Sequence, residues 1–465
     1  MLTRRRLLQV GAMAVPATLV PGLVRARPAK RAVVIGGGLS GLAAAWRLTQ
    51  RGWEVTVLDG RSRLGGRVFS YVFPEAPELV CELGAQWIGE DHHRLRALCA
   101  DFGLELMRHR FERTTLLRDA TVSAPDAWDF SPATKAALEK IGERYEKMRP
   151  QEKQTFDRND WWTALRDAGC PDDDLRLMDL IDSTDFGETI RMVGAFGGAD
   201  LHFGSNDTVE MDFKVVGGNS RMTDGLADRI GREHIRLRHR VTRVVERHGI
   251  VTVTAVNNAS GLEVPFTADA VVCTAPVRSL RDIVFEPPLP AAQREAAEQL
   301  QYARIIKTHV LCSERFWGDD DFAMVSDRTS HYYFHSTQGQ PGTRGILCAY
   351  AVGDKADVLA DQSDERKLQL VLDDMAPFAN GARRYGQKAT AYAWQRDPWT
   401  QGAYAFFRPG QFFGLRPVLG KPHGQVLFAG EHLADWVGFM EGAVVSGETA
   451  ADQIAGGLAV RRRVG

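Results

Sequence analysis

The chain predicts an α/β protein in which a nucleotide-binding domain is assembled from separated stretches, with a second, α+β domain between them. Three observations predict this. A strand, a glycine-rich turn, a helix and a second strand follow one another in "RAVVIGGGLSGLAAAWRLTQRGWEVTVLDG", residues 31–60. Another apolar strand and a glycine-punctuated helix come near the far end, in "QVLFAGEHLADWVGFMEGAVVSGETAADQI", residues 425–454. Between them, polar helical runs and short β-branched strands occur with no internal repeat.

The bulk numbers allow this and little else. A chain of 465 residues is long enough for two or more domains with sizeable cores. A formal net charge of −1 points to neither a nucleic-acid partner nor an electrostatically bound membrane surface. The six cysteines, Cys81, Cys99, Cys170, Cys273, Cys312 and Cys348, include no C-x-x-C pair. They predict neither a zinc site nor a disulfide framework, and read as small buried hydrophobes.

The first stretch is set apart from the fold. "TRRRLLQVGAMAVPATLVPGLVRARPAKR" has a basic start, an apolar run broken by Pro16 and Pro21, and small residues at Val24 and Ala26. Paired arginines before Leu7 and Leu8 resemble a twin-arginine export signal. The expectation is a signal peptide over 1–26, cleavage near Ala26, a mature chain from about Arg27, and a periplasmic location. The apolar run is too short to span a bilayer, and no other stretch approaches a span.

Ala32 to Ile35 form a continuous apolar strand, as a central parallel strand requires. Gly36, Gly38 and Gly41 fill the G-x-G-x-x-G spacing. The first permits a tight turn, the second lets backbone approach a pyrophosphate, and the third allows close helix–strand packing. Leu39 to Gln50 continue as a helix whose amino end offers N–H groups and a positive dipole to phosphate. The strand Glu54 to Leu58 ends at Asp59, a carboxylate placed to accept hydrogen bonds from a ribose diol. Beyond it, "GRSRLGGRV" brings Gly65 and Gly66, with Arg63 and Arg67 expected to contact an anion.

These residues resemble the extended motif of the glutathione-reductase-like flavoproteins, and especially of the flavin amine oxidases. In that family an Arg-x-x-x-Gly-Gly-Arg segment runs along the pyrophosphate and ribityl chain. The resemblance implies a discontinuous Rossmann FAD-binding domain and an α+β substrate domain of mixed sheet plus helices. It assigns Gly36, Gly38, Leu39, Ser40, Gly41, Asp59, Gly60, Arg61, Gly65, Gly66 and Arg67 to the cofactor. The far segment resembles the family's "FAG(T/E)…G(Y/F)MEGAVxSGxxAA". It implies Gly430 and Glu431 near the pyrophosphate or ribityl chain, and Gly438, Phe439 and Met440 near the flavin, where helix-end N–H groups stabilise charge on the ring.

The middle of the chain follows from the same likeness. "EMDFKVVGGNSRMTDGLADRI" reads as a helix, followed by paired strands in which Val241 binds the adenine side through its backbone. "ADAVVCTAPVRSL" is a strand ending at Cys273. The FAD domain is expected to take 30–105, 205–295 and 396–458, and the substrate domain 106–204 and 296–395. The first substrate block reads as largely helical, with solvated runs such as "KAALEKIGERYEKMR". The second holds short strands.

One of those strands, "RIIKTHVLCSERFW", carries Lys307 among apolar neighbours. A lysine there can point to water from a half-exposed face. The resemblance instead implies that it reaches the flavin's reactive ring nitrogen through a water, stabilising the reduced ring and assisting electron transfer to dioxygen. In "AYAWQRDPWTQGAYAFFRPG", Tyr404 takes the place of one wall of an aromatic cage, and Phe439 takes the other. Two π-faces orient an amine and exclude water. Trp394 and Trp436 are expected to pack around this site, Trp394 beside the cofactor. Ala403 stands where covalent relatives carry the cysteine linked to FAD, which predicts non-covalent FAD.

In "ELGAQWIGEDHHRL", Gly84, Ala85, Gln86 and Trp87 resemble the family's approach to the flavin. L-amino acid oxidases usually follow this turn with an arginine for the substrate carboxylate, and here none occurs until Arg94. The expected catalytic residues are Lys307, Tyr404 and Phe439, with no metal. The expected reaction is oxidative deamination of a primary or secondary amine by hydride transfer to FAD. Reoxidation would use dioxygen, giving hydrogen peroxide, or a periplasmic electron carrier. An L-amino acid oxidase is the alternative. A desaturase or porphyrinogen-type oxidase is disfavoured by Lys307 and the ring pair. A homodimer is allowed for.

Overall fold

A computed structural model describes residues 29–204 and 211–457, so the expected export segment lies outside the described residues. Arg31–Ile35 pairs in parallel with Glu54–Leu58 on one side and Ala270–Cys273 on the other. Val426–Phe428 and Ile235–Arg236 extend these two flanks into a five-stranded parallel sheet. Both faces of this sheet are covered, which is why its central strands read as unbroken apolar runs.

On one face lie the Leu39–Gln50 and Met440–Ala455 helices. Leu42 and Leu48 are completely buried there, each contributing roughly 2 kcal/mol relative to an exposed position. The two helices touch through glycine: a Cβ on Gly447 would lie 2.1 Å from the Ser40 carbonyl oxygen. The other face is covered by a four-stranded sheet built on the hairpin His239–Arg247 and Ile250–Asn257, with Val244, Val251 and Val253 packed against Val33 and Ile35. The domain is therefore closed by residues from both ends of the chain.

A seven-stranded mixed sheet forms the second domain. Ile305–Cys312 lies between Gly386–Ala393 and Gly345–Val352 and is antiparallel to both. All eight of its residues are buried. This region has three strands of eight residues and the helices Gly353–Ala360 and Asp364–Asp374, so it is more regular than the short strands expected.

The block before it is largely helical, as expected, with Pro132–Lys147, Trp161–Ala168 and Asp172–Phe186 around a core that includes Trp161, Leu165 and Leu175. Ser131 caps the first of these by accepting from the Thr134 N–H, with Pro132 in the first turn. The same block also supplies Thr114–Arg118 and Thr121–Ser123, a hairpin on the edge of the large sheet. Its turn uses Asp119 and Ala120, both at positive φ, which suits the strand twist although neither is glycine.

Candidate active site

A cavity of about 730 Å³ runs from the glycine turn of the parallel sheet to the Ile305–Cys312 strand. At its nucleotide end the turn has the shape its glycines demand. Gly36 sits at φ +111°, with the Thr274 hydroxyl where a side chain would go. Gly38 faces Gly65 across a parallel bridge, leaving backbone open to the cavity. Ser40 lines the wall, and its buried hydroxyl has no partner. An orphaned donor beside an uncapped helix start suits a phosphate oxygen, so the residues present fit a dinucleotide.

Gly41, grouped with the cofactor by its place in the motif, is not on the wall. Its Cα faces the sheet so closely that a Cβ would lie 1.9 Å from the Gly36 carbonyl oxygen. Gly60 is walled by Trp399, whose ring occupies the space a Cβ would need.

Asp59 lines the cavity but is already engaged: its two oxygens accept from the Gly37 N–H at 2.6 Å and the Arg61 N–H at 2.7 Å. Burial pushes its carboxyl up, against those two bonds and the Arg61 charge. The arginines of this loop are committed to protein partners. Arg61 grips Asp397 in a buried bidentate pair at 2.7 Å. Burial opposes the charge, yet the Arg61 guanidinium holds the Asp397 carboxyl down to about 2. Arg67 donates to the Ala403 carbonyl and to Glu431, whose other oxygen accepts from the Gly438 N–H. Arg63 does not meet the expected anion. It stacks on Phe69 and donates to the carbonyls of Leu64, Gly66 and Val68, away from the cavity wall. Its side chain shapes the glycine-pair loop from behind.

At the other end Lys307 is 4% exposed. Its ammonium donates to Gln86 Oε1 at 2.7 Å, the Gly84 carbonyl at 2.9 Å and the Glu82 carbonyl at 3.2 Å. It lies 5.6 Å from the centre of the Trp87 ring. Burial lowers its pKa, against nearby Glu82. An ammonium has three N–H groups, and all three are taken by protein; a water can join only if one partner turns away, and of the three only Gln86 accepts through a side chain. The Gln86 amide also donates to His109 Nε2 at 2.6 Å, which puts the His109 proton on Nδ1.

Trp394 is buried and fixed by its Nε1–H to the Leu83 carbonyl. Tyr404 and Phe439 line the same cavity. The Tyr404 hydroxyl meets the Tyr350 hydroxyl at 3.1 Å and donates to the Thr184 carbonyl at 3.3 Å. Phe439 packs edge-on against His92 and Trp436 and precedes the Met440–Ala455 helix. Gly84, Ala85, Gln86, Trp87, Val241, Gly430, Glu431, Gly438 and Met440 also line the cavity, as do Leu39, Gly65, Gly66 and Arg67.

Several wall residues had no signal in the sequence. Tyr350 stands directly across from Lys307 in the strand register, a pairing that no local pattern reveals. Thr184, Asp185 and Phe186 reach the wall from the end of the Asp172–Phe186 helix. Behind the wall, His92 packs against Trp436 and Phe439, and only its place in the turn after Gly84 could have pointed to it.

Comparison with known proteins agrees with this architecture. Residues 39–455 fit the model of the family described as flavin containing amine oxidoreductase. The flavin-dependent L-tryptophan oxidase RebO of Lentzea aerocolonigenes is 29% identical, over 92% of this chain and 98% of that protein. The probable flavin-containing monoamine oxidase A of Dictyostelium discoideum is 23% identical, over 91% of this chain and 96% of that protein. Among solved structures, cyclohexylamine oxidase from Brevibacterium oxydans IH-35A shares the fold with a TM-score of 0.82 at 22% identity, covering 93% of this chain and all of the other.

Proposed function

The chain belongs to the flavin-containing amine oxidoreductases, and on that premise we propose that it deaminates a primary or secondary amine with non-covalently held FAD. The family implies FAD and oxidative chemistry on amines. The observation that carries the finer reading is the buried Lys307 ammonium at a wall shared with Trp394, Tyr404 and Phe439. FAD, when bound, supplies the two-electron acceptor for a hydride equivalent from the carbon bearing the amine. The imine product is hydrolysed by water to an aldehyde or ketone and ammonia or an amine.

The rest is the work of side chains. Gly36, Gly38, Ser40 and the start of the Leu39–Gln50 helix would hold the pyrophosphate. The Arg67–Glu431–Gly438 chain ties the Gly65–Gly66 loop to the far segment. Tyr404, pinned by Tyr350 and Thr184, and Phe439, pinned by His92 and Trp436, would orient the amine and keep water out. Burial pushes the Tyr404 hydroxyl well above its ordinary range, so it stays protonated and is no base; a neutral amine needs none. Lys307 would place positive charge where negative charge develops. The Ala403 methyl cannot form a thioether.

The described wall also favours an amine over an amino acid. Arg61 is paired with Asp397, Arg67 with Glu431, and Lys307 with carbonyls. Arg240 belongs to the nucleotide end, next to His239, whose N–H donates to the Asp59 carbonyl. On the helical side the wall carries Asp185 and Asp200. The similarity to an L-tryptophan oxidase supports an L-amino acid oxidase as the second reading. The twin-arginine segment supports a periplasmic location, with dioxygen or a periplasmic carrier as acceptor. Anaerobic stopped-flow reduction by a panel of amines and L-amino acids tests the choice. Rapid bleaching by amines alone is expected; bleaching by amino acids alone overturns the amine reading.

A further inference from the structure

Two ionisable side chains beside Lys307 have no part in the chemistry above. Glu82 is 1% exposed and Lys214 is 2% exposed, and neither lines the cavity. Lys214 comes from the Phe213–Val215 strand and donates to the Ser336 carbonyl at 2.6 Å. The Glu82 carboxylate accepts from the Ser70 hydroxyl and the Asn219 N–H, each at 2.8 Å, and from neither lysine. Lys307 meets residue 82 only at its backbone carbonyl. The Lys214 strand is joined to Glu82 through Asn219, which accepts from the Val215 N–H and donates its own N–H to the carboxylate. Two buried ammonium groups and one buried carboxylate therefore lie together and leave one positive charge uncancelled. Charge withdrawn from water at this depth is expensive to maintain, so a purely structural role is better served by apolar side chains.

We propose that Lys214 is a positioning residue for the reaction: it balances Glu82, so that the charge of Lys307 stays available to the negative charge the cofactor gains on reduction. Without Lys214 the charges of Glu82 and Lys307 cancel. The proposal rests on the reading that the cavity binds FAD.

The surroundings make this balance sensitive to pH near neutrality. Burial raises the Glu82 carboxyl to about 7, against the hydrogen bonds from Asn219 and Ser70 and the charges of Lys214 and Lys307. Burial lowers the Lys214 ammonium to about 8, against the Glu82 charge. Besides Lys307 and the Cys348 thiol next to it, which burial raises to about 12, the titratable groups facing them are Cys81, His109, His309 and His335. Burial holds the Cys81 thiol well above its usual range and all three imidazoles well below theirs. These four stay neutral while Glu82 and Lys214 titrate. Protonating Glu82 therefore adds one positive charge to these surroundings, and deprotonating Lys214 removes one.

The test uses the holoenzyme and three variants, K214M, E82Q and K214M/E82Q, with two readouts: the cofactor midpoint potential and the dissociation constant of sulfite. K214M is expected to lower the potential and weaken sulfite binding about tenfold or more, the order expected for loss of one unit charge from a protein interior. E82Q is expected to move both readouts the opposite way, and the double variant to return to within about threefold of the parent. Its pH dependence between 6 and 9 should also flatten. A purely structural role predicts damage in all three variants with no recovery in the double. If K214M does not fold, the sign of the E82Q shift decides alone. Unmoved readouts in a yellow protein overturn this proposal; a protein that takes up no FAD overturns the FAD reading, and this proposal with it.

Discussion

Replacing Asp397 by asparagine tests how the cofactor loop is held. Asp397 accepts both guanidinium nitrogens of Arg61, the N–H groups of Trp399 and Thr400, and the Thr400 and Tyr392 hydroxyls. The side-chain amide keeps the volume but loses the charge, and it turns a donor toward the buried guanidinium. The carboxyl is held at about 2 against 3.8 for a free aspartate, which corresponds to about 2.5 kcal/mol at neutral pH. Leaving Arg61 buried and unpaired places the full effect of D397N at roughly 3–5 kcal/mol. Because the folded carboxyl is depressed, this stability is complete above about pH 4 and is lost as pH falls toward 2. The assay is denaturant unfolding of apo and FAD-loaded protein at pH 7, with FAD release followed by fluorescence. D397N should unfold at lower denaturant in both forms and release FAD more readily, since Gly60, Gly65 and Gly66 ride on the same loop. A variant as stable and as tightly loaded as the parent would refute the idea that this ion pair organises the loop.

Three further perturbations have expected outcomes. K307M should keep FAD but slow its reoxidation by oxygen at least tenfold in stopped flow; unchanged oxygen kinetics would remove Lys307 from the chemistry. Y404A should lower kcat/KM for amines by about tenfold to a hundredfold, whereas Y404F, which keeps the ring and loses only the hydroxyl's bonds to Tyr350 and Thr184, should lower it less than about threefold. Burial lowers the His92 and His432 imidazoles to about 4. Both take up protons on unfolding below about pH 6.5, so stability should fall as pH drops from 6.5 toward 4, by up to about 3 kcal/mol per histidine. The denaturation midpoint against pH should flatten in H92Q and H432Q.

The local units of the fold were legible because their signals are local. Leu39–Gln50 and Glu54–Leu58 have the bounds read from the sequence, since a glycine turn and an apolar strand declare themselves within a few residues. The hairpin at 114–123 carried no such mark, because Asp119 and Ala120 turn without glycine. Arg63 was misread because its partner, Phe69, lies outside the motif that suggested an anion. Gly41 shares its motif with wall residues yet packs behind them, a difference of one helix face. Tyr350 faces Lys307 by strand register and the Glu82 carbonyl accepts from it across the fold, and no sequence spacing encodes those distances.

The contact between Gly447 and Ser40 has a consequence for the order of events in the life of the chain. The Leu39–Gln50 helix is synthesised long before its packing partner, Met440–Ala455, and the strand Val426–Phe428. A growing chain therefore cannot complete this packing until the Met440–Ala455 helix has emerged. Truncated products that stop short of residue 440 should be colourless.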